Sequence, residues 1–269
     1  FAAYTHGEMH KFNYFLRTIP GMNNYLQPLD EIINDKLLPA IFGHNISETE
    51  RQLFTLPIRE GGLGIPVLCE KAVHDFESSR LITAPLAALI IAQEQDIPSK
   101  SVTSTIRAER SRTTEQQRAE TIERIDDTLD SDTKRTVQQN RVKGASSWLS
   151  VLPLEDQGFS LNKEEFRDAL ALRYNQPIKN LPSKCACGEQ FNQTHAMNCK
   201  KGGYVTFRHN TVRDFEANLL NKVCNDVATE PLLQPVNNDE ARLDIKARSF
   251  WRQGQSAFFD VRITNPNAA

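Results

Sequence analysis

The sequence has no surplus of charge of either sign, no internal repeat and no low-complexity tract. Its 32 Lys and Arg residues nearly balance its 34 Asp and Glu residues, so the net charge is −2. Composition alone therefore does not indicate a nucleic-acid-binding protein, and such a function must be argued from local features. With 39% apolar and 25% charged residues, the 269-residue chain can form a packed core, in one large domain or in a few small ones.

Long apolar runs are also absent. The longest, around Pro85–Ala92, is far too short to cross a bilayer, and there is no signal-type apolar segment. We therefore expect no membrane partner. The sequence opens at Phe1 without an initiator Met and stops at Ala269, and we expect it to be an internal part of a longer protein.

Cysteine is scarce, and the odd number of five argues against a complete disulfide framework. Three of the five lie close together beside a histidine, which is more typical of reduced metal ligands in a soluble intracellular protein. Cys69 and Cys224 have no such neighbours, and we expect them in the core.

Residues 1–95 are predicted to form helices that are broken at Pro and Gly. Ser47 and Glu50 have the spacing of a capping box that starts a short helix. The segment 61–66, Gly-Gly-Leu-Gly-Ile-Pro, predicts a turn because Gly adopts positive φ at little cost. A further helix should run from Val67 through the apolar stretch 81–91.

Residues 96–143 are rich in charge, with ten Lys or Arg and eight Asp or Glu from position 100 onward. We interpret them as a charged helical linker in solvent. The alternative, binding of a phosphate backbone by the Arg residues, is less favoured because the acids neutralise most of the charge. Residues 144–183 should form a second helical linker region, in which Asn162 caps a helix from Lys163 to Tyr174.

Residues 184–203 contain a metal-ligand pattern, C-x-C-x7-H-x3-C, formed by Cys185, Cys187, His195 and Cys199. Zinc prefers four thiolate or imidazole ligands in a tetrahedron. Gly188 lets the chain turn tightly after the first pair, and the second pair has the spacing of one helical face. Because four protein ligands leave no position for water, we predict a structural zinc site. The alternative is a coincidental group of ordinary buried cysteines.

Residues 204–269 predict a helix followed by two strands. Arg208, His209 and Asn210 open a helix whose apolar residues should face a core: Phe215, Leu219, Leu220 and Val223. Residues 242–246 and 257–263 predict strands that a turn at 253–255 connects. The second strand should be buried by four apolar residues: Phe258, Phe259, Val261 and Ile263. It carries Asp260 in its middle, where an acid is costly unless it is paired or bound to a cation.

A helix, a strand with an acid, a turn and a second strand with an acid follow the order of a restriction-type nuclease core. Asp244 and Asp260 would bind Mg²⁺, which prefers carboxylate oxygens. Arg262, two residues beyond the second acid, would stabilise developing negative charge. Glu216 on the preceding helix is a candidate auxiliary acid. The alternative is an ordinary hairpin whose two acids are satisfied by three nearby cations: Arg242, Arg248 and Arg252.

The chain as a whole resembles the site-specific non-LTR retrotransposon proteins that carry a restriction-enzyme-like endonuclease. The likeness spans most of the chain and is carried, in order, by the Gly-Gly-Leu-Gly-Ile-Pro segment, the Cys-Cys-His-Cys cluster, Gly202-Gly203, Arg208-His209-Asn210 and the paired Asp. The cluster followed closely by Arg-His-Asn is the specific part. Two positions depart from the family pattern, because Leu243 stands where Pro is usual and Arg262 where Lys is usual.

The resemblance implies that residues 1–95 correspond to the thumb of a reverse transcriptase and that Arg208 and His209 contact nucleic acid. Its implied partners are target DNA and element RNA, its implied compartment is the nucleus, and its implied chemistry is a DNA nick that primes reverse transcription. The polymerase aspartates are not expected here, since Asp126-Asp127 lies in a polar helical stretch. The rest of the endonuclease is expected beyond Ala269, so this chain should not be active alone.

We therefore predict a mainly α chain with a small α/β part from about residue 204. Its segments would be a helical thumb and linker, a zinc knuckle-like module and a partial restriction-endonuclease-like core. One rival function is a zinc-stabilised module that binds nucleic acid or protein without cutting. A second rival, a purely helical scaffold, predicts no bound metal.

Overall fold

A computed structural model of the chain describes residues 1–94, 100–201, 203–236 and 239–264. The protein is mainly helical, with 61% of its residues in helices, and it has a small three-stranded antiparallel sheet near the C-terminus. These features confirm the prediction of a mainly helical chain with a small β-containing part near the C-terminus. None of the described helices is long and apolar enough to cross a bilayer. The chain divides into two compact units, Phe1–Pro177 and Ile178–Ala269.

The first unit contains nine α-helices in its described part. They are α1 (Met9–Lys11), α2 (Asn13–Thr18), α3 (Asn23–Ile32), α4 (Leu38–Phe42), α5 (Glu48–Thr55), α6 (Leu68–Ala92), α7 (Lys100–Thr128), α8 (Ser131–Asn140) and α9 (Lys163–Arg173). Two π-helical segments, Ala3–Glu8 and Ile33–Leu37, and three 3-10 segments, Ile58–Glu60, Ser147–Ser150 and Glu155–Gln157, lie between them. Both predicted caps are present, since Ser47 and Glu50 form a capping box on α5 and Asn162 caps α9.

The core of the first unit is built from long aliphatic and aromatic side chains. Phe42 stacks on Phe54 with 4.5 Å between ring centroids, and Tyr174 packs on both rings. Ile125 of α7 and Val137 of α8 are fully buried in the same core. The charged segment is therefore helical as predicted, but its C-terminal part packs into the first unit and is not a linker in solvent.

The glycine-rich segment forms the predicted turn. Gly61 and Gly64 have φ values of +91° and +68°. A Cβ on Gly62 would lie 2.0 Å from the carbonyl oxygen of Leu56, so this position has no room for a side chain. Between the glycines, Leu63 and Ile65 are completely buried. The turn thus carries two apolar side chains into the core.

Buried arginines fix this turn by binding its backbone carbonyls. Arg51 donates to Ile65 O at 2.7 Å and to Pro66 O at 2.9 Å. Arg173 donates to Ile58 O at 3.1 Å and to Gly62 O at 3.2 Å. Because a buried carbonyl without a donor is costly, these guanidinium groups satisfy the backbone of a loop that has no strand partner.

The second unit contains two α-helices and five strands in its described part. They are α10 (Gln193–Asn198), α11 (Tyr204–Leu220), β1 (Asn225–Thr229), β2 (Leu232–Val236), β3 (Asp239–Arg242), β4 (Ile245–Arg248) and β5 (Ser256–Phe259). β1, β4 and β5 form an antiparallel sheet in that order, and β2 pairs with β3. α11 packs against β1 and β4.

The predicted apolar core face of α11 is wrong. Phe215 is 62% exposed, Leu219 46% and Val223 78%, whereas Arg213 and Ala217 are buried. Arg213 can be buried because it pairs with Glu230, and Ala217 is small enough to pack closely. An apolar pattern along one helix cannot report such pairs between distant residues.

The C-terminal hairpin also differs from its prediction. β4 starts at Ile245 and β5 ends at Phe259, so Asp244 and Asp260 flank the strands and do not lie within them. Phe258 is 45% exposed, and the buried residues of the hairpin are Ile245, Ala247 and Ala257. These three side chains share the inner face because Ile245 pairs with Phe259 and Ala247 with Ala257.

Candidate metal centre and adjoining acidic residues

The first two candidate zinc ligands lie in a tight turn. The N–H of Gly188 donates to Cys185 O at 2.9 Å, and the N–H of Cys185 donates to Glu189 O at 2.9 Å. Gly188 has a φ of +95°, as its predicted role requires. An isolated bridge between Lys184 and Gln190 closes the turn. Such a turn holds two thiols on one side of a short loop.

The second pair comes from the short helix α10. Asn192 caps this helix by accepting a hydrogen bond from the N–H of His195 at 2.7 Å. Cys199 directly follows the helix, and its N–H donates to His195 O at 2.8 Å. The imidazole and the thiol therefore lie on one side of α10, as their spacing predicts.

The four side chains converge, and their donor atoms all lie within 4.8 Å of one another. The Sγ atoms of Cys185 and Cys199 are 3.7 Å apart. This matches the edge of about 3.8 Å that a zinc tetrahedron has when each Zn–S bond is about 2.3 Å. Nε2 of His195 lies 3.2 Å from Sγ of Cys187. The donor set therefore fits a structural zinc ion with no place for a water ligand.

The thiol chemistry suits metal binding as well. Hydrogen bonds from the backbone of Cys187 and from the side chain of His195 lower the pKa of the Cys185 thiol to about 6. At neutral pH this group is mostly the thiolate, which is the form that binds zinc. The other two cysteines are not part of the cluster, and both are partly buried. Cys69 packs against the core of the first unit, and burial raises its pKa to about 11.

Helix α11 carries the next group of predicted residues, and its inward face meets acids. Nε2 of His209 lies 3.3 Å from Oδ2 of Asp244. The buried Arg213 forms ion pairs with Glu230 and with Asp214. One residue predicted to touch nucleic acid and one predicted to bind a metal are thus in direct contact.

Arg208 has a different environment. Its Nη1 lies 3.0 Å from Sδ of Met197 in α10, and its Nε is buried without a hydrogen-bond partner among the described residues. The guanidinium group therefore joins α11 to the helix that supplies His195. Gly203, with a φ of +70°, precedes α11, whereas Gly202 lies outside the described residues.

The two candidate catalytic acids lie at the same end of the hairpin. Ile245 pairs with Phe259, and Asp244 and Asp260 are the next residues on their strands. Oδ2 of Asp244 accepts a hydrogen bond from the N–H of Val261 at 2.6 Å, so this carboxylate also ties the two chain segments together. The two acids differ in exposure, because the side chain of Asp244 is 17% exposed and that of Asp260 is 59% exposed.

Arg262 and Glu216 are both exposed. Nε of Arg262 lies 3.6 Å from Oδ2 of Asp260, and its side chain is 87% exposed. Glu216 lies on the outer side of α11. Among the residues that the structure describes, no group of three or more His, Cys, Asp or Glu donors other than the zinc ligands is close enough to share an ion. A Mg²⁺ site here would therefore use two carboxylates and water, which is a common arrangement for this ion.

Sequence reasoning missed Glu230 and the backbone N–H of Val261 as partners at this site. Glu230 has a positive φ of 49° in the turn after β1 and binds Arg213. A lone acid between two short strands gives no sequence signal for such a pair. The backbone donor could only be identified once the register of β4 and β5 was known.

Comparisons with known proteins do not assign this chain to a family. No protein-family model, curated protein or solved structure matches it. Its function must therefore be inferred from the zinc ligands, α11 and the hairpin.

Proposed function

We propose that this chain is the zinc-bound, nucleic-acid-handling part of a non-LTR retrotransposon protein with a restriction-enzyme-like endonuclease. In this proposal the partners are target DNA and element RNA, and the place of action is the nucleus. The second unit would contribute the acids that nick the DNA strand whose free 3′ end primes reverse transcription.

One observation carries the proposal. The four-ligand cluster adjoins α11 through the Met197–Arg208 contact, and the next residue of that helix, His209, contacts Asp244. The cluster, the start of α11 and Asp244 follow one another in the chain, and each contacts the next in space. The four-ligand cluster, the basic residues Arg208 and His209 of α11, and Asp244 would then act together.

Asp244 and Asp260 would hold Mg²⁺ at the open end of the hairpin. Bound Mg²⁺ would polarise the scissile phosphate and help to deprotonate a water molecule. The water oxygen would bond to phosphorus as the 3′ oxygen leaves and takes up a proton. Arg262 is exposed and permanently charged, so it would stabilise the negative charge that develops on the phosphate, although it cannot easily act as a base.

A second function, binding without cutting, is favoured by one specific contact. Oδ2 of Asp244 is occupied by the N–H of Val261 and by His209, which is what a purely structural carboxylate in a hairpin requires. In that case the zinc and the acids would only shape a binding surface. The two functions make different predictions for Asp260, whose side chain is 59% exposed and lies 3.6 Å from Nε of the exposed Arg262.

The deciding experiment measures nicking of supercoiled DNA with and without Mg²⁺, using both this chain and the full parent protein. We expect nicking by the parent only, its loss in Asp260→Ala, and retained DNA binding by that variant. Asp156→Ala is the matched control, because Asp156 is an exposed acid of the first unit. Binding without nicking in the unmutated parent would establish the second function. A parent protein that neither binds nor nicks would exclude both.

A further inference from the structure

The first unit has a cavity of about 600 Å³ that none of the predicted site residues lines. Its walls come from the N-terminal π-helical segment and α1, from the glycine-rich turn, and from residues 141–150. Its ionisable residues are basic: His6, His10, Arg59, Arg141 and Lys143. Among the described residues that line it, none is Asp or Glu.

Arg141 forms a rigid part of the wall. Its two terminal nitrogens bind the carboxylate of Asp126 at 2.7 and 2.8 Å, and its Nε donates to Glu60 O at 3.1 Å. This pairing neutralises the charge of Arg141 and fixes its position. The charge available to a ligand must come from the other cations.

Arg59 and Lys143 supply that charge. The side chain of Arg59 is 79% exposed, and its acidic neighbour Glu60 lies at 3.5 Å and also binds Arg118 at 3.3 Å. One carboxylate shared by two guanidinium groups leaves a surplus of positive charge. Lys143 is exposed and forms no ion pair within the part of the chain that the structure describes.

A tightly folded loop adds hydroxyl groups to the lining, and most of the rest of the wall is apolar: Met9, Pro57, Ile58, Leu63 and Val142. Gly144 has a φ of +89°, and the N–H of Ser147 donates to its carbonyl oxygen at 3.1 Å. Ser146 is buried and accepts a hydrogen bond from Arg173 at 2.7 Å, which ties the loop to α9. Ser147 and Ser150 are exposed at the cavity, and the Ser150 hydroxyl donates to Ser147 O at 2.7 Å. The loop therefore presents Lys143 and the hydroxyl of Ser147 from a fixed backbone.

We propose that this cavity binds phosphate groups of a nucleic-acid backbone. Cations and hydroxyl donors without a competing acid are the groups that bind phosphate oxygens, whereas a carboxylate in the lining would repel them. Pockets of about 300–1,000 Å³ hold drug-sized ligands, so this one has room for a nucleotide unit and not only for a phosphate ion. The site lies in the unit without zinc, and only its nucleic-acid ligand rests on the proposed function.

The test compares two double variants of the zinc-loaded full chain. Arg59→Ala with Lys143→Ala removes the two exposed Lys or Arg side chains of the cavity. Arg17→Ala with Lys36→Ala is the matched control, since both residues are exposed on the same unit and neither lines the cavity. Binding of a labelled single-stranded oligonucleotide is measured by fluorescence anisotropy over a range of NaCl concentrations. Inorganic phosphate and pyrophosphate serve as competitors.

We expect the cavity variant alone to bind more weakly and to have a shallower salt dependence. The slope of log K against log salt should fall by about 1.4, because each phosphate contact on a single strand contributes about 0.7. Equal losses in both variants would overturn the proposal in favour of general charge attraction. If pyrophosphate binds in a way that requires Lys143 but the oligonucleotide does not bind, nucleic acid is not the ligand of the cavity. No binding of either probe would overturn the site itself.

A zinc-ligand variant, Cys187→Ser, separates this outcome from that of the proposed function. If Cys187→Ser abolishes oligonucleotide binding while the cavity variant has no effect, the cavity proposal fails and nucleic-acid binding by the second unit stands. If the cavity variant weakens binding while Cys187→Ser has no effect, the cavity stands and the role of the zinc unit fails.

Discussion

The two units of this protein are stabilised in different ways. The first buries many large side chains, among them Leu16, Leu38, Phe54, Ile125 and Leu170. In the described part of the second, the buried apolar residues are mostly small: Ala217, Ile245, Ala247 and Ala257. A small domain with so little apolar surface in its interior needs another source of stability, such as a metal or ion pairs. The Cys-Cys-His-Cys cluster could hold such a metal, and Glu230 and Asp244 pair with residues of α11.

Buried charge is used differently in the two units. In the first, Arg51 and Arg173 bind backbone carbonyls of the glycine-rich turn, so they fix a loop. In the second, the buried Arg213 pairs with Glu230, which follows β1, so it fixes a helix. The partly buried His209 of the same helix contacts Asp244. The second arrangement depends on ionised acids and on the position of short strands. We therefore expect removal of the metal to destabilise mainly the second unit. Substitutions that disturb core packing should destabilise mainly the first.

Removal of zinc should have the largest effect and should separate the units. Structural zinc sites contribute on the order of 10 kcal/mol of apparent binding free energy at neutral pH. Cys199→Ser, or a strong chelator, should unfold the second unit and leave the first folded. Hydrogen exchange with mass spectrometry would show loss of amide protection after about residue 178 alone.

Cys224→Ser is the matched control for this experiment, because Cys224 is a partly buried thiol of the same unit outside the cluster. It should retain both zinc and amide protection. If the amides of α11 and of the hairpin stay protected in the chelator, the second unit does not depend on zinc for its stability.

A substitution of Gly62 should have the next largest effect and should act on the first unit. In Gly62→Ala the new methyl group would meet the carbonyl oxygen of Leu56 at 2.0 Å, so the turn must shift. We expect a loss on the order of 3 kcal/mol in the free energy of unfolding, as for other overpacked sites. Urea unfolding followed by circular dichroism would measure it.

Gly7→Ala is the control for the turn substitution. Gly7 lies in the first unit, and a Cβ there would meet no atom within 4 Å. Because Ala favours helical backbone more than Gly does, this change should be neutral or slightly stabilising. Equal destabilisation by both substitutions would show that the turn is not under steric constraint.

The pH dependence of the first unit should show the smallest effect. Burial raises the pKa of Asp126, but the hydrogen bonds and charge of Arg141 outweigh burial and hold that pKa below its usual 3.8. A lowered folded-state pKa contributes stability above the unfolded-state value, and this contribution is lost as the pH falls through the folded-state value. Asp126→Asn should cost about 2 kcal/mol at pH 7 and progressively less below pH 3.8.

Fluorescence of Trp148 would measure this effect in a Trp251→Phe background, because each unit contains one of the two Trp residues. Asp127→Asn is the control, since the side chain of Asp127 is 73% exposed. It should change stability little at any pH. If the free energies of unfolding of Asp126→Asn and of the unmutated chain differed by the same amount from pH 7 to pH 3, the ion pair with Arg141 would not be the cause of the difference.

Local sequence signals predicted much of the helical structure and the four side chains that converge as possible metal ligands. The capping box at Ser47, the cap at Asn162, the turn at the glycines and the convergence of the four ligands all depend on residues a few positions apart. Such spacing fixes geometry through the backbone alone. The catalytic roles of Asp244, Asp260 and Arg262 and the nucleic-acid contacts of Arg208 and His209 stay predictions.

By itself, the sequence determined where α5 and α9 begin, where the chain must turn at the glycines and which four side chains can surround one metal ion, but α11 begins at Tyr204 and not at Arg208. Only the tertiary structure decided which face of α11 is buried, that α7 and α8 join the first core, and that His209 contacts Asp244. These features join segments that are far apart in the chain. They depend on how the charges and volumes of distant residues fit together, which no local periodicity records.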